Sequence, residues 1–246
     1  MMIPKIIHYC WFGRGPLPEL AVKCIESWKK YLPEYTVKQW NEDNFDLSLF
    51  PYTEEAYRNR KFAFVTDVVR LYVLYTEGGV YLDTDVEVLK PLDPFLHHLA
   101  FSGFEDQTKV PTGIMAAEKG SLWAKENLDY YNGRHFQLED GSLDMTTNVT
   151  IITDYMLGKG LKQNNTFQDF PGLIALYPCD YFCPLDHKTR KLKVTANTVT
   201  IHHFMGSWEY DTPVLRARKW IIRHFGESFY YRLRALKLVF FPKHWK

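Results

Sequence analysis

Long apolar runs are missing from this chain. No stretch of its 246 residues approaches the length of a membrane-spanning helix. The N-terminal Met1-Met2-Ile3-Pro4-Lys5 lacks the basic region and apolar core of a secretory leader. Cysteine is scarce, with Cys10, Cys24, Cys179 and Cys183 only. Cys179 and Cys183 form a C-x3-C pair without a second pair or histidines at zinc-finger spacing. Reduced thiols in a cytoplasmic protein, soluble or peripheral on the inner face of the membrane, are the expectation. Net charge is also nearly absent, at +1, so the whole molecule offers no electrostatic case for nucleic acid. Repeats and low-complexity linkers are lacking as well, which excludes solenoids and disordered tethers.

Aromatic residues are abundant, at 16% of the chain. Such an excess serves a bulky core, flat ligands and sugars, or a membrane interface. Charge is unevenly placed. From Val214 to Lys246 the chain carries nine Lys/Arg and one acid, Glu227. There Trp220-Ile221-Ile222-Arg223 and the run from Phe229 to Phe241 mix aromatics with arginine and lysine. That composition suits a helix lying on an anionic membrane surface, or one docked on the body with a solvated charged face.

Strand-like and helix-like segments alternate. Ile3–Trp11 reads as a buried first strand, Pro18–Tyr31 as a helix stopped by Pro33, and Tyr35–Trp40 as a strand. Phe62–Thr76 is the clearest helix, ended by Gly78-Gly79. Short strands follow at Val80–Asp83, Val86–Leu89, Ala100–Phe104 and Gly113–Ala117. Helices are expected at Leu122–Tyr131 and Thr150–Leu157, and late strands at Leu173–Tyr177 and Thr198–His202. The pattern predicts an α/β fold with one mostly parallel, twisted sheet flanked by helices. The expected organisation is a catalytic domain over 1–213 and a basic helical appendage over 214–246.

The strongest local signal is Gly78-Gly79-Val80-Tyr81-Leu82-Asp83-Thr84-Asp85. Two carboxylates one residue apart, at the end of an apolar strand, can face one divalent cation. The carboxyl ends of strands are where α/β sheets bind ligands. The preceding helix is apolar around most of its surface, with a narrow polar stripe of Thr66, Asp67 and Arg70. A helix apolar on nearly all sides is buried, and a buried charge needs a partner or a ligand. Asp67 and Arg70 can pair with each other at i, i+3, or face the same cleft as the D-x-D. His202 and His203 follow a β-rich segment. Alternate residues of a strand face opposite ways, so one of the two reaches a metal.

Three things together carry a resemblance: Ile3 to Gly13 with Trp11, Asp67-x-x-Arg70 before Gly78–Asp85, and a late His-x-x-x-Ser-Trp. The ordered set resembles glycosyltransferase family 32, and more distantly the glucosylating domains of large clostridial toxins. The resemblance implies a GT-A fold and a retaining, metal-dependent hexosyl transfer. Its implied cofactors are Mn2+ or Mg2+ and a nucleotide sugar, with a UDP-hexose favoured. The implied acceptor is a glycan or a lipid-linked glycan of surface polysaccharide synthesis. By the same resemblance Trp11 would stack on the base, with Tyr9 beside it. Asp67, Arg70 and Asp83 would contact the donor. Asp83 would reach the metal through water, and Asp85 and His203 would bind it directly. Ser207 and Trp208 would close over the diphosphate, and Asn148 would lie under the reacting sugar. The residues alone leave two other readings open. One is a D-x-D phosphatase. The other is a non-catalytic carbohydrate- or membrane-binding module on the same fold.

Overall fold

The computed structural model describes residues 2–206 and, beyond them, only Ala217, Trp220, Ile221, His224, Phe225 and Phe229. Ser207, Trp208 and nearly all of the basic tail lie outside the described residues. The chain divides into two compact units. Met1–Leu185 with Leu192–Phe204 forms the first, and Asp186–Lys191 falls with Met205–Lys246 in the second. The sheet, the helices around it and the residues discussed below all belong to the first unit.

In chain order the elements are β1 (Ile6–Cys10), α1 (Glu19–Tyr31), β2 (Thr36–Trp40), α2 (Pro51–Arg58), α3 (Phe62–Thr76), β3 (Gly79–Leu82) and β4 (Val86–Val88). They continue with β5 (Ala100–Gly103), β6 (Ile114–Ala117), α4 (Leu122–Asp129), α5 (Asn148–Gly158), β7 (Gln168–Phe170), β8 (Ile174–Tyr177), α6 (Cys179–Phe182) and β9 (Thr200–His202). Seven strands form one sheet in the order β2-β1-β3-β6-β5-β8-β7, and β4 pairs with β9 in a separate ribbon.

The sheet is mixed. β2, β1 and β3 run parallel, as do β5 and β8. β6 is antiparallel to both β3 and β5, and β7 is antiparallel to β8. The carboxyl ends of β1, β2, β3, β5 and β8 therefore share one edge. Ligands of open α/β sheets bind at such an edge.

Two apolar layers cover the faces of the sheet. Val65, Val68, Val69, Leu71, Val73 and Leu74 of α3 pack with Tyr81, Met115, Trp123 and Ile152 on one side. Trp28 of α1 packs with Ile7, Val80, Leu82, Ile114 and Phe182 on the other. Successive residues of β3 alternate between these layers, as a pleated strand requires. Burying one such side chain is worth about 1.5–3 kcal/mol.

Local chemistry sets the turn before β3. Helix α3 ends in a left-handed cap, with the Gly78 amide donating to the Leu74 carbonyl at 3.1 Å and a Gly78 φ of 72°. Gly79 also has a positive φ, 113°, and a Cβ there would stand 2.7 Å from the Ile6 carbonyl oxygen. Only glycine fits both positions. His8, fully buried on β1, fastens this turn. Its Nε2 lies 2.8 Å from the Gly78 carbonyl, and its Nδ1 accepts from the Trp40 indole at 3.0 Å. Those two bonds define a neutral imidazole with its proton on Nε2.

Helix α1 holds the ribbon in place. The Trp28 indole donates to the Val86 carbonyl at 2.7 Å, and the Val88 amide donates to the Ser27 hydroxyl at 2.9 Å. The β4–β9 register, Val86 opposite His202, then carries the late histidines back to the acids after β3.

Candidate active site at the carboxyl edge of the sheet

Asp83 and Asp85 occupy a tight turn between β3 and β4. The Val86 amide closes it onto the Asp83 carbonyl at 3.0 Å, and the Asp83 amide extends the β3–β6 ladder to the Gly113 carbonyl at 2.8 Å. Strand parity places Tyr81 on the same face as Asp83, and its hydroxyl donates to Asp83 Oδ1 at 2.8 Å.

His202 is the imidazole that joins the acids. Its Nε2 lies 3.3 Å from Asp85 Oδ1 and 3.9 Å from Asp83 Oδ2. One ligand atom from each of Asp83, Asp85 and His202 falls within 4.8 Å of the others. His203, expected at this position from the resemblance, turns the other way, and its Nε2 sits 2.9 Å from Glu87 Oε2. The reason is parity: His202 is the last residue of the β9 ladder, and the extended residue after it points to the opposite side. Burial disfavours a charged His202 imidazole, but the adjoining Asp85 carboxylate outweighs that and holds the group well above the ordinary histidine range. Two carboxylates and an imidazole fit a hard or borderline divalent ion with coordination positions to spare.

Arg70 lies beneath these residues, 5% exposed. It donates from Nε to the Thr66 carbonyl at 3.2 Å and from Nη1 to the Thr112 carbonyl at 2.7 Å. Its Nη2 lies 3.3 Å from Asp67 and 3.4 Å from Asp83. The guanidinium also stands over the Tyr81 ring, 4.8 Å from its centroid. Both options left open by the sequence are thus realised together. Arg70 pairs with Asp67 and reaches the D-x-D.

Asp67 receives the first amide of α5, from Asn148 to Oδ2 at 3.2 Å. An acid at a helix N-terminus is favoured by the helix dipole. Burial nevertheless pushes the Asp67 carboxyl up to about 6, against the pull of Arg70 and the Asn148 amide. The Asn148 side chain is 1% exposed and donates from Nδ2 to the Asp67 carbonyl at 3.0 Å. Its Oδ1 is buried without a hydrogen-bond partner.

The base-side residues are arranged differently. Trp11 lies just past β1, half-buried, and its indole donates to the Gly15 carbonyl at 2.6 Å. Tyr9 is buried against Trp28, and its hydroxyl donates to Gln39 at 2.8 Å. It therefore points into the core of the α1 layer.

Tyr81, Gly113 and Phe204 are given no site role by the sequence reading. Period-two alternation from Asp83 finds Tyr81. Gly113 leaves room for His202, because a Cβ there would meet the imidazole at 2.7 Å. Phe204, the aromatic that directly follows the two histidines, stacks its ring on His202.

The chain resembles known proteins over part of its length, including the D-x-D turn. Residues 18–102 match the family described as "Glycosyltransferase sugar-binding region containing DXD motif". The chain is 32% identical over 122 residues to inositol phosphoceramide mannosyltransferase 3 of Schizosaccharomyces pombe, a match of 48% of this chain and 34% of the relative. It is 29% identical over 120 residues to mannosyl phosphorylinositol ceramide synthase CSH1 of Saccharomyces cerevisiae, 47% of this chain and 32% of the relative. The match therefore spans about a third of these curated relatives. Among solved structures, the PaToxG glycosyltransferase superposes with a TM-score of 0.50 at 19% identity, over 64% of this chain and 70% of that one. That likeness shows the expected GT-A arrangement of sheet and helices.

Proposed function

We propose, from the match of residues 18–102 to the DXD-containing glycosyltransferase sugar-binding family, that the protein transfers a hexose from a nucleoside diphosphate sugar to a glycan or lipid-linked acceptor. The observation that carries the reading is the convergence of Asp83, Asp85 and His202 within 4.8 Å at the ligand-binding edge of the sheet. Asp83, Asp85 and His202 would hold a divalent ion, Mn2+ or Mg2+. Such an ion supplies charge neutralisation for the leaving diphosphate as the glycosidic bond breaks.

The chain's own residues do the rest. Arg70 adds fixed positive charge beneath the same edge and locks the Asp83 carboxylate in place. Asp67 and Asn148, tied to each other at the start of α5, present polar groups to the donor hexose. Asn148 Oδ1 is buried without a hydrogen-bond partner in the protein, and a sugar hydroxyl would meet it only once the start of α5 opens. Trp11 offers a flat ring to the base, and stacking of that kind is worth about 1–3 kcal/mol. Transfer with retention follows the family resemblance.

Two donors compete in this reading. Trp11 suits uridine. The two yeast relatives are named for mannosyl transfer to inositol phosphoceramide, which favours a mannosyl donor and a lipid acceptor. Titrating UDP and GDP calorimetrically, with Mn2+ and with chelator, separates them. Metal-dependent binding of one nucleotide, lost in Asp85→Asn, is the expected result. Failure of a folded protein to bind either nucleotide in the presence of Mn2+ overturns the reading and favours the non-catalytic module.

The basic segment Val214–Lys246 would bring the protein to an anionic leaflet, each basic residue adding about 1 kcal/mol. Among the described residues no helix is long and apolar enough to cross a membrane. Loss of binding to phosphatidylserine vesicles on deleting Val214–Lys246 is expected, and undiminished binding removes the idea.

A further inference from the structure

We propose that Phe204 is the positioning residue of His202, with its ring fixing the imidazole plane that aims Nε2 at Asp83 and Asp85. The inference rests on the reading of these three residues as a divalent-cation site. Three observations outside that reading support it.

The first is backbone strain. Phe204 has a φ of 49°, in the left-handed region that aromatic residues rarely adopt. Strain of this kind persists only where the surroundings hold it, and it concentrates at functional sites.

The second is what the strain achieves. Residues i and i+2 of an extended strand point to one side but lie about 6.6 Å apart, at roughly 3.3 Å per residue. His202 and Phe204 are related as i and i+2, yet their ring centroids are 4.1 Å apart with planes 29° from parallel. The left-handed step folds the chain back so that one ring covers the other. An extended continuation of β9 would leave the imidazole uncovered.

The third is the opposite demand from Gly113. A Cβ at that residue would lie 2.7 Å from both Cε1 and Nδ1 of His202. The imidazole is thus seated on a bare glycine and covered by an aromatic ring, which leaves Nε2 directed at the two carboxylates at 3.3 and 3.9 Å. The ladder pairing of β9 ends at His202, with one further bond from the His203 amide to the Asp85 carbonyl at 3.0 Å. Those bonds place the His202 backbone. The rotation of its side chain is set by what surrounds the ring, where Phe204 and Gly113 close its two faces and the Cys183 side chain and Asp85 meet it from the side. Groups that orient a metal-ligating histidine are typically worth 10- to 100-fold in metal affinity.

The test compares Phe204→Leu, Phe204→Gly, Phe204→Tyr and His202→Ala in the full chain, without nucleotide. Leucine keeps apolar bulk and removes the flat ring. Glycine relieves the backbone strain and removes the ring. Tyrosine restores it. Mn2+ affinity is read from the electron paramagnetic resonance of free Mn2+. Imidazole coordination is read from the visible spectrum of the Co2+ form, and folding from thermal unfolding. The expected result is a loss of Mn2+ affinity of about tenfold or more in the leucine and glycine variants, with a changed Co2+ spectrum and retained cooperative unfolding. Tyrosine should return affinity to near the parent value. Parent-like Mn2+ binding in the leucine and glycine variants, with loss in His202→Ala, overturns the role of Phe204 and leaves the cation site standing. Undiminished binding in His202→Ala overturns both. Unfolding of the leucine and glycine variants alike overturns the proposal in favour of a ring needed for the fold alone.

Discussion

Arg70 holds the Thr112 carbonyl at 2.7 Å, so a helix residue fixes the loop whose next residue, Gly113, accommodates His202. The same guanidinium reaches Asp67 and Asp83. One buried cation thus ties α3, the loop before β6 and the D-x-D turn together.

Replacing Arg70 by Met should therefore damage stability and site at once. The variant leaves the Asp67 and Asp83 carboxylates without their buried partner. Breaking a buried pair from one side typically destabilises by about 3–5 kcal/mol. Arg70→Lys keeps the charge and loses the fork that reaches Thr112 and both acids together, so it should recover only part of that loss. Urea unfolding of the three proteins checks this. A methionine variant within 1 kcal/mol of the parent, on the order of a surface-pair effect, would show that the ion pairs are idle.

Gly113→Ala tests the room beside His202. The added methyl must displace either the imidazole or the β6 loop. Displacement of the imidazole lowers Mn2+ affinity while the sheet survives, because the Leu82–Ile114 pairing next to it is untouched. The expected outcome is weaker Mn2+ binding with a modest drop in melting temperature. Calorimetry and thermal unfolding on one sample read both. Parent-like metal affinity in a folded variant would mean that the loop yields and His202 does not.

Much of this arrangement is legible in the sequence, for definite reasons. Phe62–Thr76 is delimited as helix α3 because its apolar wheel and the Gly78-Gly79 stop are purely local signals. The stripe of Asp67 and Arg70 stands out because charge on an otherwise apolar helix must be answered. Helix α2 is harder to see, since Pro51–Arg58 carries only Tyr52, Thr53 and Ala56 inward among polar residues. The direction of β6 is not encoded locally either. Ile114–Ala117 is a short buried run that reads alike in a parallel or an antiparallel sheet. The choice between His202 and His203 depends on where the β4–β9 ladder sets its register, which is a tertiary fact. The left-handed turn at Phe204 has no glycine or asparagine to announce it.

On the proposed reading, Asp67→Asn should separate donor recognition from metal binding. Asparagine keeps the size of the side chain and can still accept the Asn148 amide, but it removes the negative charge next to Arg70. Asp67 is absent from the three residues that converge within 4.8 Å. Mn2+ affinity should stay within a few-fold of the parent. Donor-sugar hydrolysis should fall by two or more orders of magnitude, about 3 kcal/mol or more of transition-state stabilisation. Equal losses of metal affinity and turnover would instead place Asp67 in the metal site.

The pH dependence of folding should report His8. Burial lowers the value of its imidazole below the ordinary 6.5, and the contact with the Gly78 carbonyl offsets this only in part. The folded state therefore prefers the neutral ring, which donates to Gly78 and accepts from Trp40. A base depressed in this way contributes its stability fully above pH 6.5, the unfolded value. That contribution is lost as pH falls from 6.5 through the folded value, because the unfolded chain takes up the proton first. Protonation would also set an Nδ1–H against the Trp40 indole N–H and loosen the turn before β3. His8→Gln removes the titrating group at the cost of imperfect hydrogen bonds. It should be less stable than the parent at pH 8, with the gap narrowing by pH 5. Urea unfolding of both proteins at half-unit steps from pH 8 to 5 gives the difference curve. A gap that stays constant, or widens toward acid, would mean that His8 does not titrate with folding and that another group sets the acid limb.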